Sequence, residues 1–299
     1  MDIDLSIDLK EVATIIKDFI KTYVKNSGAK GVVLGLSGGV DSIVTALLCK
    51  ESLGKNNVCC LFLPEKTTPE IDKKHFDLIV KKFELLYEKK DISEVVDSIT
   101  NGSIIKPDKF ALANIKARAR MILLFEYANM KNFLVCGTSN KSELLVGYFT
   151  KYGDGGVDIM PLGDIYKTQV WQIAKNLKIP NEIIVKPPSG GLWEGQTDEG
   201  ELKLSYDRLD MILSGLEKKI DIDEISRIVD LKKSEVLRIK NLRIKNQHKV
   251  RAPLIPKIGL RTPGYDWRSP VIEGWNIYFS IFKYILINID IGSYFNIFL

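Results

Sequence analysis

The sequence predicts an α/β protein built on a parallel sheet that helices cover on both faces. Short apolar segments that are typical of strands alternate along the chain with segments of helical periodicity. The strand-like segments are almost continuously apolar, as expected where helices cover both faces of a parallel sheet. A loop rich in Gly and Ser follows the first of them and opens a helix. We expect a single domain over residues 1–268, followed by a C-terminal tail at 269–299.

The predicted elements begin with an amphipathic helix. Apolar side chains recur at i, i+3, i+4, i+7 and i+8 from Val12 to Val24, which is the spacing of a helix that packs on a core. Further helical spacing is found after Asp41, near 69–82 and near 108–130. The four segments with strand character are 31–36, 57–63, 83–88 and 133–137.

In parallel sheets of this kind, ligands bind beyond the carboxyl ends of the strands. Three segments at such positions are rich in Gly, Ser, Thr or Pro, namely 35–42, 64–70 and 137–158. A fourth segment, 186–200, contains two prolines, four glycines and a Trp193 that we expect to be exposed. Long loops of this composition are typical of lids. We therefore predict that the chemistry lies at this edge of the sheet and that 186–200 is a mobile lid over it.

The composition excludes several classes of protein. The 299 residues are 45 % hydrophobic and 27 % charged, which is ordinary for a globular protein and unlike a disordered, collagen-like or disulfide-scaffold chain. The net charge is only +5, which gives no reason to expect a nucleic-acid partner. The cysteines lack metal-ligand spacing, and we expect them to be buried in a reducing compartment. They are Cys49, Cys59, Cys60 and Cys136.

The two ends of the sequence give no sign of export or membrane insertion. The N-terminus is acidic and lacks the basic and apolar regions of a signal peptide, so a cytoplasmic location is predicted. Residues 271–299 are rich in Ile and Phe, but Lys283 and Asp290 interrupt them. No uncharged stretch there reaches the roughly 18–20 residues of a membrane span. We expect a docked or protruding apolar tail and no membrane anchor.

The segment GLSGGVDS at 35–42 has the properties of an anion site. The glycines at 38–39 allow a ligand to approach the backbone closely, successive N–H groups form a concavity, and the following helix N-terminus adds positive potential. The alternative is a tight turn in which Asp41 or Ser42 caps the helix. The five specified positions of S-G-G-x-D-S would coincide by chance at roughly 10⁻⁶ per starting residue, so we favour the anion site.

This loop resembles that of the ATP pyrophosphatases. It lacks the lysine of a Walker loop, so transfer of the γ-phosphoryl group is not implied. SGGVDS is similar to the signature of enzymes that cleave ATP between the α and β phosphates. This resemblance implies an adenine nucleotide alpha-hydrolase-like fold, which is a doubly wound, Rossmann-like parallel sheet. Further motifs make the whole set, over about residues 30–255, similar to the ammonia-dependent NAD synthetases. They are NIKARARM at 114–121, GTSNKSE at 137–143, GYFTKYGDGGVDIMPLGDIYK at 147–167, KPPSGGL at 186–192, ELKLSYDRLD at 201–210 and QHK at 247–249.

The resemblance implies a two-step ligase reaction of NAD biosynthesis. The nicotinate carboxylate of deamido-NAD attacks the α-phosphorus of ATP and releases pyrophosphate, and ammonia then displaces AMP from the acyl adenylate to give NAD. ATP is the implied co-substrate, Mg²⁺ the implied cofactor and free ammonia the implied nitrogen donor. A glutamine-using enzyme would need an amidase, for which the sequence around the ATP loop leaves no room. The resemblance also implies a homodimer with substrate sites near the subunit interface.

The resemblance also carries site residues over to matching positions of this sequence. Asp41 and Glu143 are the implied Mg²⁺ ligands, and Asp158 and Lys167 are the implied catalytic residues. The family often has Thr at the position of Ser189, so a hydroxyl is retained there. The implied ligands of deamido-NAD are Arg118, Lys151, Asp158, His248 and Lys249. The implied ligands of ATP are Gly35, Leu36, Ser37, Gly38, Gly39, Val40, Asp41, Ser42, Thr138, Lys167 and Ser189.

Two other functions fit parts of the sequence. Another ATP pyrophosphatase, such as a tRNA-thiolating or GMP-forming enzyme, would share the loop. A thiolating enzyme usually carries CxxC or a catalytic cysteine pair, whereas Cys59 and Cys60 lie in a predicted strand. Residues 222–249 have the spacing of paired short helices with basic outer positions, as in a helix-turn-helix nucleic-acid module. The small net charge favours the synthetase, in which this segment would bring His248 and Lys249 to the dinucleotide.

Overall fold

A computed structural model describes residues 3–263 of this chain. They belong to two compact units, Met1–Arg251 and Ala252–Leu299, and all the elements below lie in the first. The predicted end of the domain at residue 268 lies outside the described residues. So does the predicted tail at 269–299, with its apolar stretch.

Four parallel strands form the sheet in the order β3-β2-β1-β4. The chain places β2 and β3 on one side of β1 and returns to place β4 on the other side, so the strand order reverses beside β1. Such a reversal opens a crevice at the carboxyl ends of the strands, where ligands bind. The predicted doubly wound parallel sheet is therefore confirmed. The strands are β1 (Gly31–Gly35), β2 (Val58–Phe62), β3 (Leu86–Lys89) and β4 (Phe133–Val135).

Helices cover both faces of the sheet because its central strands are apolar on both sides. In β1, Val32 and Leu34 pack on the face that carries α1, α2 and α7, whereas Val33 packs on the opposite face under α5. The α-helices of the described part are α1 (Leu9–Ser27), α2 (Val40–Leu53), α3 (Glu70–Lys82), α4 (Ser93–Asn101), α5 (Lys109–Lys131), α6 (Lys141–Val146), α7 (Lys167–Asn176), α8 (Asn181–Ile184), α9 (Asp198–Leu202), α10 (Tyr206–Glu217), α11 (Ile222–Ile228) and α12 (Lys233–Asn246).

Capping residues set the ends of the two long helices. The Asp8 carboxylate accepts hydrogen bonds from backbone N–H groups in the first turn of α1, and Gly28 ends that helix with a φ of +73°. In the same way, Asp108 accepts a hydrogen bond in the first turn of α5, and Asn132 ends it in the left-handed region. These caps agree with the helices that the sequence periodicity predicts.

The strand prediction is wrong at one place, the edge of the sheet. The predicted strand 83–88 begins instead at Leu86, because Phe83 ends α3 and Glu84 turns the chain with a φ of +44°. The predicted loop 137–158 also contains a short helix, α6. The four cysteines are buried, as expected. Within residues 3–263, no helix is long and apolar enough to cross a bilayer.

A buried carboxylate joins the three helices that support the carboxyl end of the sheet. Asp210 of α10 accepts hydrogen bonds from the Ser142 hydroxyl in α6 and from the Thr168 backbone N–H and hydroxyl in α7. The Ser142 oxygen in turn accepts a hydrogen bond from the Lys167 backbone N–H at 2.9 Å. Burial raises the pKa of Asp210 to about 6 despite these donors. The position of Lys167 therefore depends on a carboxylate that is costly to ionise.

We predict that Asp210 makes the stability of the fold depend on pH. Its folded pKa of about 6 lies above the ordinary value of 3.8, so its contribution is greatest in acid and is lost as the pH rises towards 6. The free energy of unfolding of the wild type, minus that of Asp210→Asn, should fall by ~3 kcal/mol at most across this window. Denaturant unfolding at several pH values measures it. Parallel pH curves for the two proteins would contradict the prediction.

Candidate active site

A concave site lies at the carboxyl edge of the sheet, where the sequence predicts it. The ends of β1, β2 and β4 enclose a cavity of about 500 Å³ within the first unit. One face of α5 forms a wall of this cavity, and residues 186–193 form its roof. A cavity of this size at a reversal of strand order is suited to a nucleotide.

Backbone groups dominate the loop between β1 and α2. The Ser42 hydroxyl donates to the Gly39 carbonyl at 2.8 Å and lies 3.2 Å from the Ser37 hydroxyl. Gly39 is the N-cap of α2, and no side chain caps this helix end. The alternative in which Asp41 or Ser42 serves as the cap is therefore not what the structure contains. The first turn of α2 is left with the N–H groups and positive potential of an anion site.

The backbone conformation of this loop requires glycine at position 38. Its φ is +85°, a conformation that other residues rarely adopt. A Cβ atom at this position would lie 2.5 Å from the backbone oxygen of Asp72 in α3. The loop can therefore pack against α3 only with glycine here.

A network of polar side chains lies beside the loop. The buried ammonium of Lys167 donates to one carboxylate oxygen of Asp41, and the Asn140 amide donates to the other at 3.0 Å. Asn140 also caps α6, where its side chain and that of Glu143 each accept a hydrogen bond from the other's backbone N–H. The N-termini of α2, α6 and α7 thus bring Asp41, Glu143 and Lys167 to one place.

The charged groups in this network shift one another's pKa values. Burial lowers the pKa of Lys167, but the carboxylates of Asp41 and Glu143 more than offset this, so its pKa is raised and it stays a cation at neutral pH. Burial and the neighbouring charge of Asp41 raise the pKa of Glu143 well above its usual range. Asp198, which is 4 % exposed, adds a third carboxylate, and its Oδ1 atom has no hydrogen-bond partner among the described residues. The centre therefore has more carboxylates than cations.

This excess of carboxylates fits a bound Mg²⁺ ion. No group of three or more His, Cys, Asp or Glu side chains within residues 3–263 is arranged as a protein-only metal cage. Mg²⁺ usually binds through one or two carboxylates and takes its remaining ligands from water and phosphate. The Asp41 and Glu143 carboxylates, which are close enough to raise the pKa of Glu143, match that requirement.

The implied ATP ligands converge on this cavity. Thr138 lies just beyond β4, and Ser189 lies in the roof, where its hydroxyl accepts a hydrogen bond from the Gly191 N–H at 3.1 Å. Lys167 lies on the floor. Gly38 faces α3 rather than the cavity. Those that line the cavity are Gly35, Leu36, Ser37, Gly39, Val40, Asp41, Ser42, Thr138, Lys167 and Ser189.

One of the implied deamido-NAD ligands lines the cavity of the single chain, and the other four do not. Lys249 lines the cavity, where its ammonium donates to the carbonyls of Gly147 and Phe149 at 2.6 and 2.9 Å, and burial lowers its pKa. The other four do not line the cavity of the single chain. The exposed Arg118 donates to the Lys151 carbonyl at 3.2 Å, while Asp158 accepts a hydrogen bond from the backbone of β4. These four are Arg118, Lys151, Asp158 and His248.

The roof is held by an ion pair and a hydrogen bond. Lys186 pairs with Asp72 of α3. Lys116 of α5, only 3 % exposed, donates to the Leu192 carbonyl at 3.0 Å and pairs with the buried Glu65 at 2.9 Å. The expectation that Trp193 is exposed is wrong. Its ring is half-buried, edge-to-face with Phe110 and 4.3 Å from the Lys109 ammonium.

Sequence reasoning missed several residues of the cavity. Lys116 and Asp198 carry no motif of their own. Arg120 lies two residues beyond Arg118, and the structure places Arg120 in the cavity wall and Arg118 outside it. Helical periodicity contains the missing signal, because the side chains of α5 that line the cavity recur every three or four residues. They are Phe110, Ala113, Asn114, Ala117, Arg120, Met121 and Leu124.

Comparison with known proteins shows the family of this chain. A family model described as NAD synthase matches residues 12–253. An NH3-dependent NAD+ synthetase of Methanocaldococcus jannaschii is 44 % identical over 253 residues, which cover 84 % of this chain and 98 % of that protein.

Solved structures agree on the fold. The NH3-dependent NAD synthetase from Campylobacter jejuni, in complex with the nitrate ion, is 34 % identical with a TM-score of 0.72 and is matched over 84 % of this chain and 100 % of its own. The NMN synthetase from Francisella tularensis is 29 % identical with a TM-score of 0.75, over 85 % and 100 % of the two chains. The predicted adenine nucleotide alpha-hydrolase-like fold is confirmed. This chain belongs to the NAD synthase family.

Proposed function

We propose that this chain amidates deamido-NAD with ammonia and ATP, giving NAD, AMP and pyrophosphate through an acyl adenylate. The observation that carries this proposal is the uncapped N-terminus of α2 in one cavity with Asp41 and the buried Lys167. A loop with free N–H groups and no Walker lysine suits cleavage of ATP between its α and β phosphates. The relative from M. jannaschii carries the name of this activity.

In the first step, the site has to bind a polyanion and stabilise a leaving group. The N–H groups and serine hydroxyls of the loop at 35–42 would bind the phosphates, with Thr138 and Ser189 as further hydroxyl contacts. Lys167, a cation at neutral pH, would stabilise the charge that develops on pyrophosphate as it leaves. Asp41 and Glu143 would hold Mg²⁺, which when bound neutralises phosphate charge.

In the second step, ammonia has to reach the acyl adenylate and water must not. The roof at 186–193 closes the cavity from above, which limits the hydrolysis that would return deamido-NAD and AMP. The family resemblance places Asp158 near ammonia. In the single chain, the Asp158 carboxylate is held by the Val135 N–H at 2.7 Å, which fixes it at the end of β4.

A homodimer is part of this proposal. Four of the implied deamido-NAD ligands lie outside the cavity of the single chain, so the dinucleotide site would be completed at a contact between two copies. The outer surface of α5 carries exposed apolar side chains that such a contact would bury. Examples are Ile122 and Met130. The buried free cysteines support a reducing, cytoplasmic location.

Product analysis tests the proposed function. The chain is incubated with ATP, Mg²⁺, deamido-NAD and ammonium, and the nucleotides are separated. We expect NAD and AMP in equal amounts, with almost no NAD when glutamine replaces ammonium. Nicotinate mononucleotide is the competing substrate, because a solved neighbour is an NMN synthetase. Formation of ADP, or turnover of the mononucleotide alone, would overturn the proposal.

We predict that Asp41→Asn lowers kcat by at least ~100-fold while the fold is retained. The amide cannot provide the carboxylate charge for Mg²⁺, and it leaves the buried Lys167 without its partner. Steady-state kinetics measures the loss, and thermal denaturation checks the fold. Asp77→Asn, at an exposed carboxylate on α3, is the matched control and should change kcat less than ~2-fold. Near-normal turnover of Asp41→Asn would contradict the Mg²⁺ assignment.

We predict that Lys116→Met loosens the roof. The variant loses the hydrogen bond to Leu192 and leaves Glu65 buried without a cation, so the segments that Lys116 joins should separate. Hydrogen exchange in 186–197 should rise about tenfold, and AMP should exceed NAD among the products because water reaches the intermediate. A double variant with Glu65→Gln separates the lost contact from the unpaired charge. An unchanged ratio of AMP to NAD in both variants would show that the roof does not exclude water.

A further inference from the structure

Arg120 is a cation in the cavity wall without an anionic partner. It lies on α5, and its Nε donates to the Leu63 carbonyl just beyond β2 at 3.1 Å. Among the described residues it makes no other hydrogen bond and no ion pair. The carboxylates of Glu65 and Asp154 influence it only from a distance, and Glu65 is already paired with Lys116. The two terminal nitrogens of the guanidinium are therefore without a protein acceptor.

The other cations that line the cavity in residues 3–263 have an ion pair or two hydrogen bonds with the protein. Lys167 pairs with Asp41, and Lys186 pairs with Asp72. Lys249 donates to two backbone carbonyls. Among these cavity cations of the described residues, Arg120 alone has neither a paired carboxylate nor a second hydrogen bond. A partly desolvated guanidinium left in this condition is costly, and the cost is offset when a ligand supplies the anion.

Two neighbouring residues place Arg120 relative to the phosphate loop, which is the segment 35–42 between β1 and α2. Leu124, one helical turn further along α5, is the neighbour that a Cβ atom at Gly35 would meet, at 3.8 Å. Leu63, whose carbonyl anchors the guanidinium, follows β2, and β2 pairs with β1. Arg120 therefore lies on the β2 side of the loop that begins at Gly35. An anion held by this loop, or one about to react there, is the candidate acceptor.

We propose that Arg120 is an oxyanion-binding residue of the active site. The inference rests on the proposed function for the identity of the anion, which is either a phosphate of ATP or the nicotinate carboxylate of deamido-NAD. The carboxylate is planar and the phosphate is tetrahedral, and each can accept two parallel N–H hydrogen bonds from a guanidinium. The Nε bond to Leu63 restrains the guanidinium and leaves its two terminal nitrogens available to such an acceptor.

Binding titrations of variants test this proposal. The proteins are wild type, Arg120→Gln, Arg120→Lys and the control Lys131→Gln, which removes an exposed charge from the same helix. If a phosphate of ATP is the anion, Arg120→Gln should bind ATP at least ~10-fold more weakly and adenosine unchanged. If the carboxylate is the anion, deamido-NAD should lose ~10-fold and NAD, which carries an amide there, should not change. Arg120→Lys should recover only part of the loss, because lysine cannot form the paired bonds.

The outcomes separate this proposal from the proposed function. The role of Arg120 would be overturned if Arg120→Gln weakened the binding of adenosine as much as that of ATP, and the binding of NAD as much as that of deamido-NAD. It would also be overturned if Arg120→Gln bound every ligand as tightly as the wild type. Inorganic tripolyphosphate is a further probe, because it tests oxyanion binding even if the chain fails to form NAD. Arg120→Gln should weaken its binding if a phosphate is the partner. If Arg120→Gln does not fold, as judged by thermal denaturation, the contrast between Arg120→Lys and wild type decides the matter.

Discussion

The ion pair between Lys167 and Asp41 is the interaction on which the rest of the site depends. Asp41 stands in the first turn of α2, directly after the first strand, and Lys167 begins α7 more than a hundred residues later. Lys167 is only 2 % exposed, so its charge is tolerated only because carboxylates surround it. The pair joins the phosphate loop to the helical part of the unit. The Asn140 amide donates to Asp41, and the buried Asp210 holds the Ser142 hydroxyl that accepts from the Lys167 backbone N–H.

The cavity is electrostatically incomplete without its ligands. Its floor holds more carboxylates than cations, with one oxygen of Asp198 lacking a partner among the described residues, while its wall holds the unpaired guanidinium of Arg120. The loop between them offers N–H groups of a helix end that no side chain caps. A metal ion complexed with a polyanion would satisfy all three features at once. This separation of charge is suited to a site that binds ATP and expels pyrophosphate.

Sequence reasoning predicted the sheet well and the site in part. The central strands are apolar on both faces, so their positions could be predicted, whereas the edge strand β3 has exposed side chains and was placed three residues too early. The loop at 35–42 is local in sequence, and all of its residues except Gly38 line the cavity. Lys116 donates hydrogen bonds to the Thr67 hydroxyl, 49 positions away, and to the Leu192 carbonyl of the roof, 76 positions away, and no local pattern predicts either contact. The choice between Arg118 and Arg120 depends on the orientation of α5, which only the packed structure fixes.

The central claim is that the cavity activates a carboxylate by adenylation, and isotope exchange between pyrophosphate and ATP tests it most directly. The exchange is measured without ammonia, so that the reaction stops at the acyl adenylate. We predict that labelled pyrophosphate enters ATP when deamido-NAD is present and that exchange ceases when deamido-NAD is omitted. Exchange that does not require deamido-NAD, or no exchange in a preparation that forms NAD once ammonium is added, would contradict it.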